Sequence, residues 1–259
     1  VKELSKDTEW IFQAVTEMQA ARLPDGYTEL TYIQSSGTQY IDTGFKPKAT
    51  TRTIMKADVT DVSGWSAFFV TRNTTSQSAS QAYLAAASSS TQYRSDYFGS
   101  TLSINVNTTV KMTTVDKNKN VCTFNDDTIT NTSSVASASA NMFLLALNNA
   151  GSANYFLRAK LYSCDIYDND VLVRSFVPCK NPSGVIGLYD VVNSVFYQNA
   201  GTGEFTAGEA HPMQEMKFWR FMGHQQAQAT SYDNNPSSPF YVGDPIGSSS
   251  VGRIRIVLY

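Results

Sequence analysis

Charged side chains are scarce in this sequence. Asp, Glu, Lys and Arg make up 16% of the 259 residues, whereas roughly a quarter is usual for a globular domain. Ser, Thr and Asn take their place, as is typical of an exposed β surface kept in solution by hydroxyl and amide groups. The formal net charge is −2, and Lys and Arg form no cluster. The sequence therefore lacks the basic patch that nucleic-acid binding requires, and we expect no nucleic-acid partner.

Long apolar runs are also missing. None approaches the ~20 residues that a membrane-spanning helix needs, and the N-terminus lacks the basic-then-apolar layout of a secretion signal. We therefore expect no insertion into a membrane. The chain starts at Val1 rather than at Met, so we expect it to be the C-terminal part of a longer polypeptide.

The residues that hydrolases use are sparse. No Glu occurs between Tyr32 and Gly203, although glycoside hydrolysis needs a pair of carboxylates. Asp126 and Asp127 are adjacent, so on a strand their side chains would point to opposite faces. The two histidines, His211 and His224, lie late in the chain, and no Ser-His-Asp or Cys-His arrangement can be argued. We expect that the protein is not an enzyme.

The three cysteines have no metal-ligand spacing; they are Cys122, Cys164 and Cys179. Asn169 and Asp170 predict a two-residue hairpin turn. The register of that hairpin sets Cys164 opposite Ser175, four residues from Cys179. Four residues of strand span about 13 Å, whereas a disulfide needs Cα atoms closer than ~7 Å. We expect free, mostly buried thiols.

The same hairpin predicts a core face and an ion pair. The core face sets Tyr162, Cys164 and Ile166 opposite Val177, Ser175 and Val173. On the other face Asp165 is predicted opposite Arg174, an opposite-charge pair worth about 0.2–1 kcal/mol. Both charged residues then have structural roles, and neither is predicted to be catalytic.

Alternating apolar and polar residues predict about a dozen short strands with turn signals between them. Residues 30–47 read as strand, turn and strand around Ser35-Ser36-Gly37. Residues 74–103 are low in charge but hold four aromatics, too many for a linker, and are read as successive strands. Asn125-Asp126 supplies a further turn. The remaining predicted strands are 50–59, 65–72, 109–115, 120–130, 141–147, 154–167, 171–177, 185–189 and 194–198. The pattern predicts an all-β antiparallel sandwich.

The two ends of the chain differ from this pattern. Residues 1–22 are rich in helix formers, with Leu4, Ile11 and Met18 spaced by seven. They are either the end of a coiled-coil stalk, which would imply a homotrimer, or one amphipathic helix packed on its own domain. Residues 209–259 end in alternating Arg and Ile, which predicts a small C-terminal β appendage. The predicted domains are thus 1–22, 23–208 and 209–259.

Several motifs resemble one family. They are Leu23-Pro-Asp-Gly-Tyr-Thr-Glu-Leu, Ser36-Gly-Thr-Gln-Tyr-Ile-Asp-Thr-Gly44, Leu161-Tyr-Ser-Cys-Asp-Ile-Tyr, Phe176-Val-Pro-Cys-Lys-Asn-Pro, Gly187-Leu-Tyr-Asp190 and Phe196-Tyr-Gln-Asn-Ala-Gly-Thr-Gly203. They resemble the concanavalin A-like, laminin-G-like jelly-roll domains of gut-bacterial surface proteins and phage tail proteins. Within about 23–208, the region 60–140 shares only the pattern.

The resemblance implies a concanavalin A-like antiparallel jelly-roll sandwich that recognises cell-surface glycan on a virion tail or at the cell surface. Glucanases of this architecture carry Glu-x-Asp-x-x-Glu on one strand, and this sequence has no such pattern. Related domains sometimes hold Ca²⁺ through Asp and carbonyl oxygens, but no dense oxygen-ligand loop occurs here. No cofactor is predicted, and a calcium site is unsupported.

A sugar site usually combines an aromatic ring with amide or carboxylate partners for hydroxyls. The candidates are Trp65, Tyr83, Tyr93 and Tyr97, with Asn148, Asn149 and Asn154. Any one of the aromatics could instead be a core residue. Trp65 follows Gly64 at a strand start, so we expect the three tyrosines to be more exposed than Trp65.

Two functions remain open from the sequence. The first is a non-enzymatic glycan-recognition module of a phage tail fibre or bacterial adhesin. The second is a structural or trimer-organising module that binds no sugar. Exposed tyrosines clustered on one face would favour the first function. Aromatics buried at a subunit contact would favour the second.

Overall fold

The computed structural model describes residues 23–73 and 82–210, which form nineteen β-strands. In chain order the strands are β1 (Thr28–Glu29), β2 (Ile33–Ser35), β3 (Ile41–Asp42), β4 (Thr51–Asp61), β5 (Ser66–Arg72), β6 (Ala82–Ser89), β7 (Gln92–Tyr97), β8 (Ser100–Asn105), β9 (Met112–Asn118), β10 (Val121–Phe124), β11 (Asp127–Thr130), β12 (Phe143–Leu144), β13 (Leu147–Asn149), β14 (Ser152–Asn154), β15 (Arg158–Asp168), β16 (Val171–Lys180), β17 (Ile186–Asp190), β18 (Val195–Gln198) and β19 (Thr206–Ala207). The described part contains no helix, so no helix there could cross a membrane.

The strands form two sheets. The first has the order β11-β10-β9-β4-β15-β16-β17-β18, with β1 added on β16, β2 on β15 and β19 on β2. The second has the order β14-β13-β5-β6-β7-β8, with β12 pairing with both β5 and β3. All pairs are antiparallel except β13 with β5. The prediction of an all-β antiparallel jelly-roll sandwich is confirmed.

The main core lies between the two sheets. Aromatic rings from both sheets meet there: the ring of Phe124 on β10 stacks on Tyr93 of β7 with centroids 4.2 Å apart, and Phe68 of β5 lies 6.0 Å from the same ring. Residues of β4 alternate between buried and accessible positions, as expected of a strand with one face on this core. Burial of this shared apolar layer is what holds the sheets together.

The stretch 30–47 crosses from one sheet to the other. The predicted strands flanking Ser35-Ser36-Gly37 are present, but β2 pairs in the first sheet and β3 pairs with β12 in the second. The backbone of the crossing segment is tied to a distant motif, because Thr202 N–H donates to the Thr38 carbonyl over 3.1 Å. A side chain at Gly201 would collide with that carbonyl. Two motifs of the sequence resemblance therefore meet in space and close the sandwich.

The hairpin of β15 and β16 has the predicted turn and a different register. Asp168 pairs with Val171, and Asn169 and Asp170 have φ of 51° and 63°, as a two-residue type I′ turn requires. A β-bulge then leaves Val173 unpaired, so Cys164 lies opposite Phe176 rather than opposite Ser175. The bulge inserts one residue on β16 and shifts every later pair.

This shift makes the predicted Asp165–Arg174 ion pair wrong. Asp165 lies opposite Ser175, and Arg174 lies opposite Ile166 with its Nε 3.4 Å from Asp190 Oδ2. The predicted core face is correct for Cys164 and Ile166, which are fully buried. Tyr162 is only half-buried because the pairing of β15 with β4 slips between Leu161 and Ser163.

The three cysteines are free and buried, as predicted. Burial raises the pKa of the Cys122 thiol to about 11 and of the Cys179 thiol to about 12, and raises the pKa of Cys164 well above its usual value. Neutral thiols of this kind behave as small apolar side chains.

The middle of the chain contains more strands than were predicted from the sequence. Residues 82–105 form β6, β7 and β8, in agreement with the prediction of successive short strands. Asn125-Asp126 forms the predicted turn, between β10 and β11. A second two-residue turn at Lys119-Asn120 joins β9 to β10, so this region is a three-stranded meander.

The predicted N-terminal helix at 1–22 lies outside the described residues. The predicted C-terminal β appendage also lies outside them, apart from its first residues, where Ala210 bridges to Leu30 of the sandwich.

Candidate functional site

The three candidate tyrosines are core residues. Tyr83 and Tyr93 are 0% exposed and Tyr97 is 2% exposed. Each hydroxyl bonds inside the sandwich, since Tyr83 donates to the Lys117 carbonyl, Tyr93 shares a bond with Thr113 Oγ1 and Tyr97 donates to the Ala49 carbonyl. Burial raises the pKa of all three phenols. None of the three rings is accessible to a ligand, because all three point to the side of β6 and β7 that faces the other sheet.

The second sheet has a further buried layer on its opposite side, which we call the outer face. Its apolar floor is separate from the main core and consists of Ala67, Val70, Leu84, Ala86 and Leu147. Trp65 packs against this floor and is half-buried. The predicted order of exposure is therefore reversed, since Trp65 is the most accessible of the four candidate aromatics.

Trp65 lies in a cluster of aromatic and charged side chains on the outer face. Its ring centroid is 5.9 Å from that of Tyr155, with the rings tilted by 45°. The guanidinium carbon of Arg94 lies 4.7 Å from the Trp65 ring centroid, a cation–π contact. Arg94 is held in turn by Asp96, with Nε–Oδ1 and Nη2–Oδ2 distances of 2.6 and 3.0 Å. This bidentate pair fixes the position of the guanidinium beside the indole ring.

Tyr155 is the most accessible ring of the cluster and was not identified from the sequence. It is 43% exposed and has φ of 50°, a left-handed conformation that is unusual for a residue with a side chain. Its carbonyl accepts from Ala67 N–H over 2.9 Å, which anchors the segment after β14 to the start of β5. Nothing in the sequence Asn154-Tyr155-Phe156 predicts a positive φ at Tyr155.

The three candidate asparagines have different surroundings. Asn148 is 3% exposed and has a structural role, because its Nδ2 donates to the Asn141 carbonyl and its Oδ1 accepts from Gly151 N–H. Asn154 is exposed and pairs with Leu147, so it lies at the outer face. Asn149 pairs with Arg72, and its Oδ1 is buried with no hydrogen-bond partner.

The outer face thus brings together an accessible aromatic pair and side chains that can bond hydroxyl groups. Asn154, Arg94 and Thr101 supply an amide, a guanidinium and a hydroxyl around that pair. The strands β14, β13, β5, β6, β7 and β8 carry a single carboxylate, Asp96, and its oxygens already bond to Arg94. Within 23–73 and 82–210, no three His, Cys, Asp or Glu side chains are placed to hold a metal ion.

No family model matches the sequence, and no curated protein sequence matches it. Among solved structures, two similar ones are of the CBM40 module of the Ruminococcus gnavus IT-sialidase, one of them bound to α2,3-sialyllactose. The complex shows 14% identity and a TM-score of 0.42 over 56% of this chain and 92% of the module. The other structure has the same identity and TM-score over 59% of this chain and 94% of the module. These values are too low to transfer a ligand to this chain.

Proposed function

We propose that residues 23–210 form a glycan-binding module whose binding surface is the Trp65–Tyr155 end of the outer face. The observation that carries the proposal is the accessible Tyr155 ring beside Trp65, with Arg94 fixed against the indole by Asp96. An aromatic ring binds the apolar face of a sugar, and a rigid ring loses little entropy in doing so. Neighbouring amide and guanidinium groups would bond the hydroxyls.

The module is proposed to be non-catalytic. Hydrolysis of a glycosidic bond needs two carboxylates about 5–5.5 Å apart for retention or about 6.5–9.5 Å apart for inversion. The strands of the outer face supply only Asp96, and its two oxygens are engaged by Arg94. A single ion-paired carboxylate suits the positioning of a guanidinium better than general acid or base catalysis.

The carrier of the module is proposed to be a phage tail fibre, or another receptor-binding or adhesin protein, that works on a virion or at a cell surface. The motif resemblance in 23–208 supports this context, and a stalk at 1–22 would make the protein a homotrimer. If no sugar binds, the alternative is a structural or trimer-organising module. The three buried tyrosines do not favour either function, because they lie in the domain's own core.

The test is binding of the full chain to a bacterial glycan array, followed by titration of the best ligand against Tyr155→Ala and Trp65→Ala. We expect each substitution to weaken binding by about tenfold or more, since loss of an aromatic contact of about 1.4 kcal/mol has that effect. Tyr155→Ala should leave the fold intact because the ring is 43% exposed.

A matched control comes from the first sheet, where another partly exposed aromatic pair lies beside a cation. Tyr162 and Tyr32 have centroids 5.5 Å apart, and Lys56 Nζ lies 5.9 Å from the Tyr162 ring. Tyr162→Ala should leave glycan binding unchanged. Binding that depends on Tyr162 and not on Tyr155 would show that the site lies on the first sheet and not on the outer face. Absence of any glycan binding would reject the proposed function.

A further inference from the structure

Arg72 differs from the other arginines of the described residues. Each of the other four lies within ion-pair distance of a carboxylate, in the pairs Arg52–Asp116, Arg94–Asp96, Arg158–Asp61 and Arg174–Asp190. Arg72 is 6% exposed, and within 23–73 and 82–210 its guanidinium has no ion pair and its buried Nε has no hydrogen-bond partner. It is the last residue of β5 and pairs with Ala82.

The register places Arg72 on the outer face. Val70 of β5 belongs to the outer floor, and Arg72, two residues further along the same strand, lies on the same side. Thr71 and its partner Tyr83 point to the main core instead. The Arg72 side chain therefore lies on the same surface as Trp65, at the opposite end of β5. Strand geometry puts the two ends about 20 Å apart.

Asn149 accompanies Arg72 on this surface. The two residues pair directly across β13 and β5, and the Ala150 N–H donates to the Arg72 carbonyl over 3.2 Å. Leu147, two residues earlier on β13, belongs to the outer floor, so Asn149 points to the same side. Its Oδ1 is buried and lacks a hydrogen-bond partner in the described part. Two unsatisfied polar atoms, one a donor and one an acceptor, thus come from neighbouring residues of one face.

The chemistry of this pair selects a particular ligand group. A buried charge without a partner is costly, and so is a buried amide oxygen without a donor. The guanidinium fork matches the two oxygens of a carboxylate, whereas the amide oxygen accepts from a hydroxyl. A sugar acid carries both groups, an anionic carboxylate and ring hydroxyls.

We propose that Arg72 and Asn149 form a subsite for the carboxylate and an adjacent hydroxyl of an acidic sugar, at the far end of the outer face from Trp65. This inference rests on the proposed function and deepens it, because it names acidic glycans as the ligand class. The Trp65–Tyr155 pair, at the other end of the same face, contacts the neutral part of a longer ligand. Arg72 supplies the preference for acid, and the aromatic pair supplies affinity that is independent of charge.

The experiment uses the full chain and paired probes. Oligogalacturonides are titrated beside their carboxyl-reduced counterparts, and α2,3-sialyllactose beside lactose, by calorimetry. We expect the acidic member of at least one pair to bind about tenfold or more tightly than its neutral twin. Arg72→Gln should reduce that preference to about onefold while neutral binding through Trp65 persists. Asn149→Asp, which places a like charge beside the carboxylate, should also abolish the preference.

Arg158→Gln is the matched control for net charge, because it removes one exposed cation from the first sheet. It should keep the full acid preference. Equal binding of acidic and neutral twins by the wild-type chain, or an unchanged preference in Arg72→Gln, would overturn the subsite. An oligosaccharide whose only anionic groups are sulfate esters is titrated in the same way. If it matches the carboxylate in an Arg72-dependent way, the subsite is specific for anions in general and the assignment to carboxylate is wrong.

A second measurement separates this inference from the proposed function. Thermal unfolding is recorded with and without free galacturonate and galactose, since a ligand of the folded state raises the melting temperature. Arg72-dependent stabilisation by galacturonate without any oligosaccharide binding would support the subsite and reject the glycan module. Trp65-dependent binding of neutral glycans without acid preference would do the reverse. Arg72→Met should unfold at the wild-type temperature or above, because it removes an unpaired buried charge; a clear loss of stability would point to a structural role and count against the subsite.

Discussion

Lys117 is the most unusual single residue of the core. It is 0% exposed, its Nζ donates to Ser95 Oγ over 2.7 Å, and Ser95 donates in turn to Asn131 Oδ1 over 2.6 Å. The rings of Tyr83 and Tyr97 have centroids 5.1 and 5.4 Å from the ammonium. No carboxylate within the described residues lies within ion-pair distance of it. Burial lowers the pKa of Lys117, because the charged form loses its hydration.

Replacing Lys117 by Met should therefore not destabilise the domain. We expect Lys117→Met to raise the free energy of unfolding by about 1 kcal/mol or more at pH 7, since an apolar side chain of similar length removes the buried charge. The control is Lys46→Met at an exposed lysine, which should change stability by less than about 0.5 kcal/mol. Urea unfolding measures both. A loss of 2 kcal/mol or more in Lys117→Met would show that the lysine's hydrogen bond stabilises the fold more than its charge costs.

The same substitution has a predicted pH dependence. The pKa of Lys117 is lowered on folding, so between that value and the ordinary value near 10.5 the unfolded chain binds more protons than the folded one. Wild-type stability then rises with pH relative to Lys117→Met. The advantage of the variant should shrink between pH 7 and pH 10, and an advantage that grows with pH would contradict the assigned direction.

The turn between β15 and β16 illustrates what local sequence decides at the level of an element. Asn169 and Asp170 both adopt positive φ, and this geometry was predictable because Asn and Asp tolerate the left-handed region better than other side chains do. The bulge at Val173 was not predictable. It depends on how β16 fits between β15 and β17, where Asp190 Oδ1 accepts from Ser175 N–H.

Substitution of Asp170 tests the conformational requirement of this turn. Asp170→Gly should stabilise the domain by about 0.5–1 kcal/mol, and Asp170→Val should destabilise it by about 1–2 kcal/mol, because glycine accepts positive φ freely and a β-branched residue does not. Both variants lose the same exposed carboxylate, which lies 3.9 Å from Lys119 Nζ and contributes little. Their difference in thermal unfolding isolates the backbone effect. Equal stability of the two variants would refute it.

The whole molecule raises the question of oligomeric state. The described sandwich holds its own core between two sheets, and its first and last segments meet where Leu30 bridges to Ala210. A fragment of residues 23–210 should therefore unfold in one cooperative transition and be a monomer.

The full chain is expected to be a trimer if residues 1–22 are the end of a coiled-coil stalk. Light scattering of the full chain, the 23–210 fragment and the full-length variant Ile11→Glu provides the comparison. A trimeric full chain together with a monomeric fragment and a monomeric Ile11→Glu variant would support the stalk. A monomeric full chain would favour the single amphipathic helix, and a trimeric fragment would place the subunit contact in the sandwich.

How far the proposed binding surface could be predicted from the sequence depends on knowing which side of each strand faces the main core. The candidate set included Trp65, Asn149 and Asn154, which lie on the outer face, and missed Tyr155 and Arg94. Period-two alternation shows which residues share a side of a strand, but not which side is the main core. On β5 every residue is buried, so alternation between apolar and polar residues does not show which side of that strand faces the main core.

The sequence by itself determined the fold class, the short strands, the turns at Asn125-Asp126 and Asn169-Asp170 and the free state of the cysteines. These features depend on local backbone preferences and on strand spacing, which a few neighbouring residues set. Only the tertiary structure decided that Tyr83, Tyr93 and Tyr97 are core, that Lys117 is buried, and that Arg72 and Asn149 adjoin on one face. Those outcomes depend on strand order, bulges and sheet packing, which bring together residues far apart in the chain.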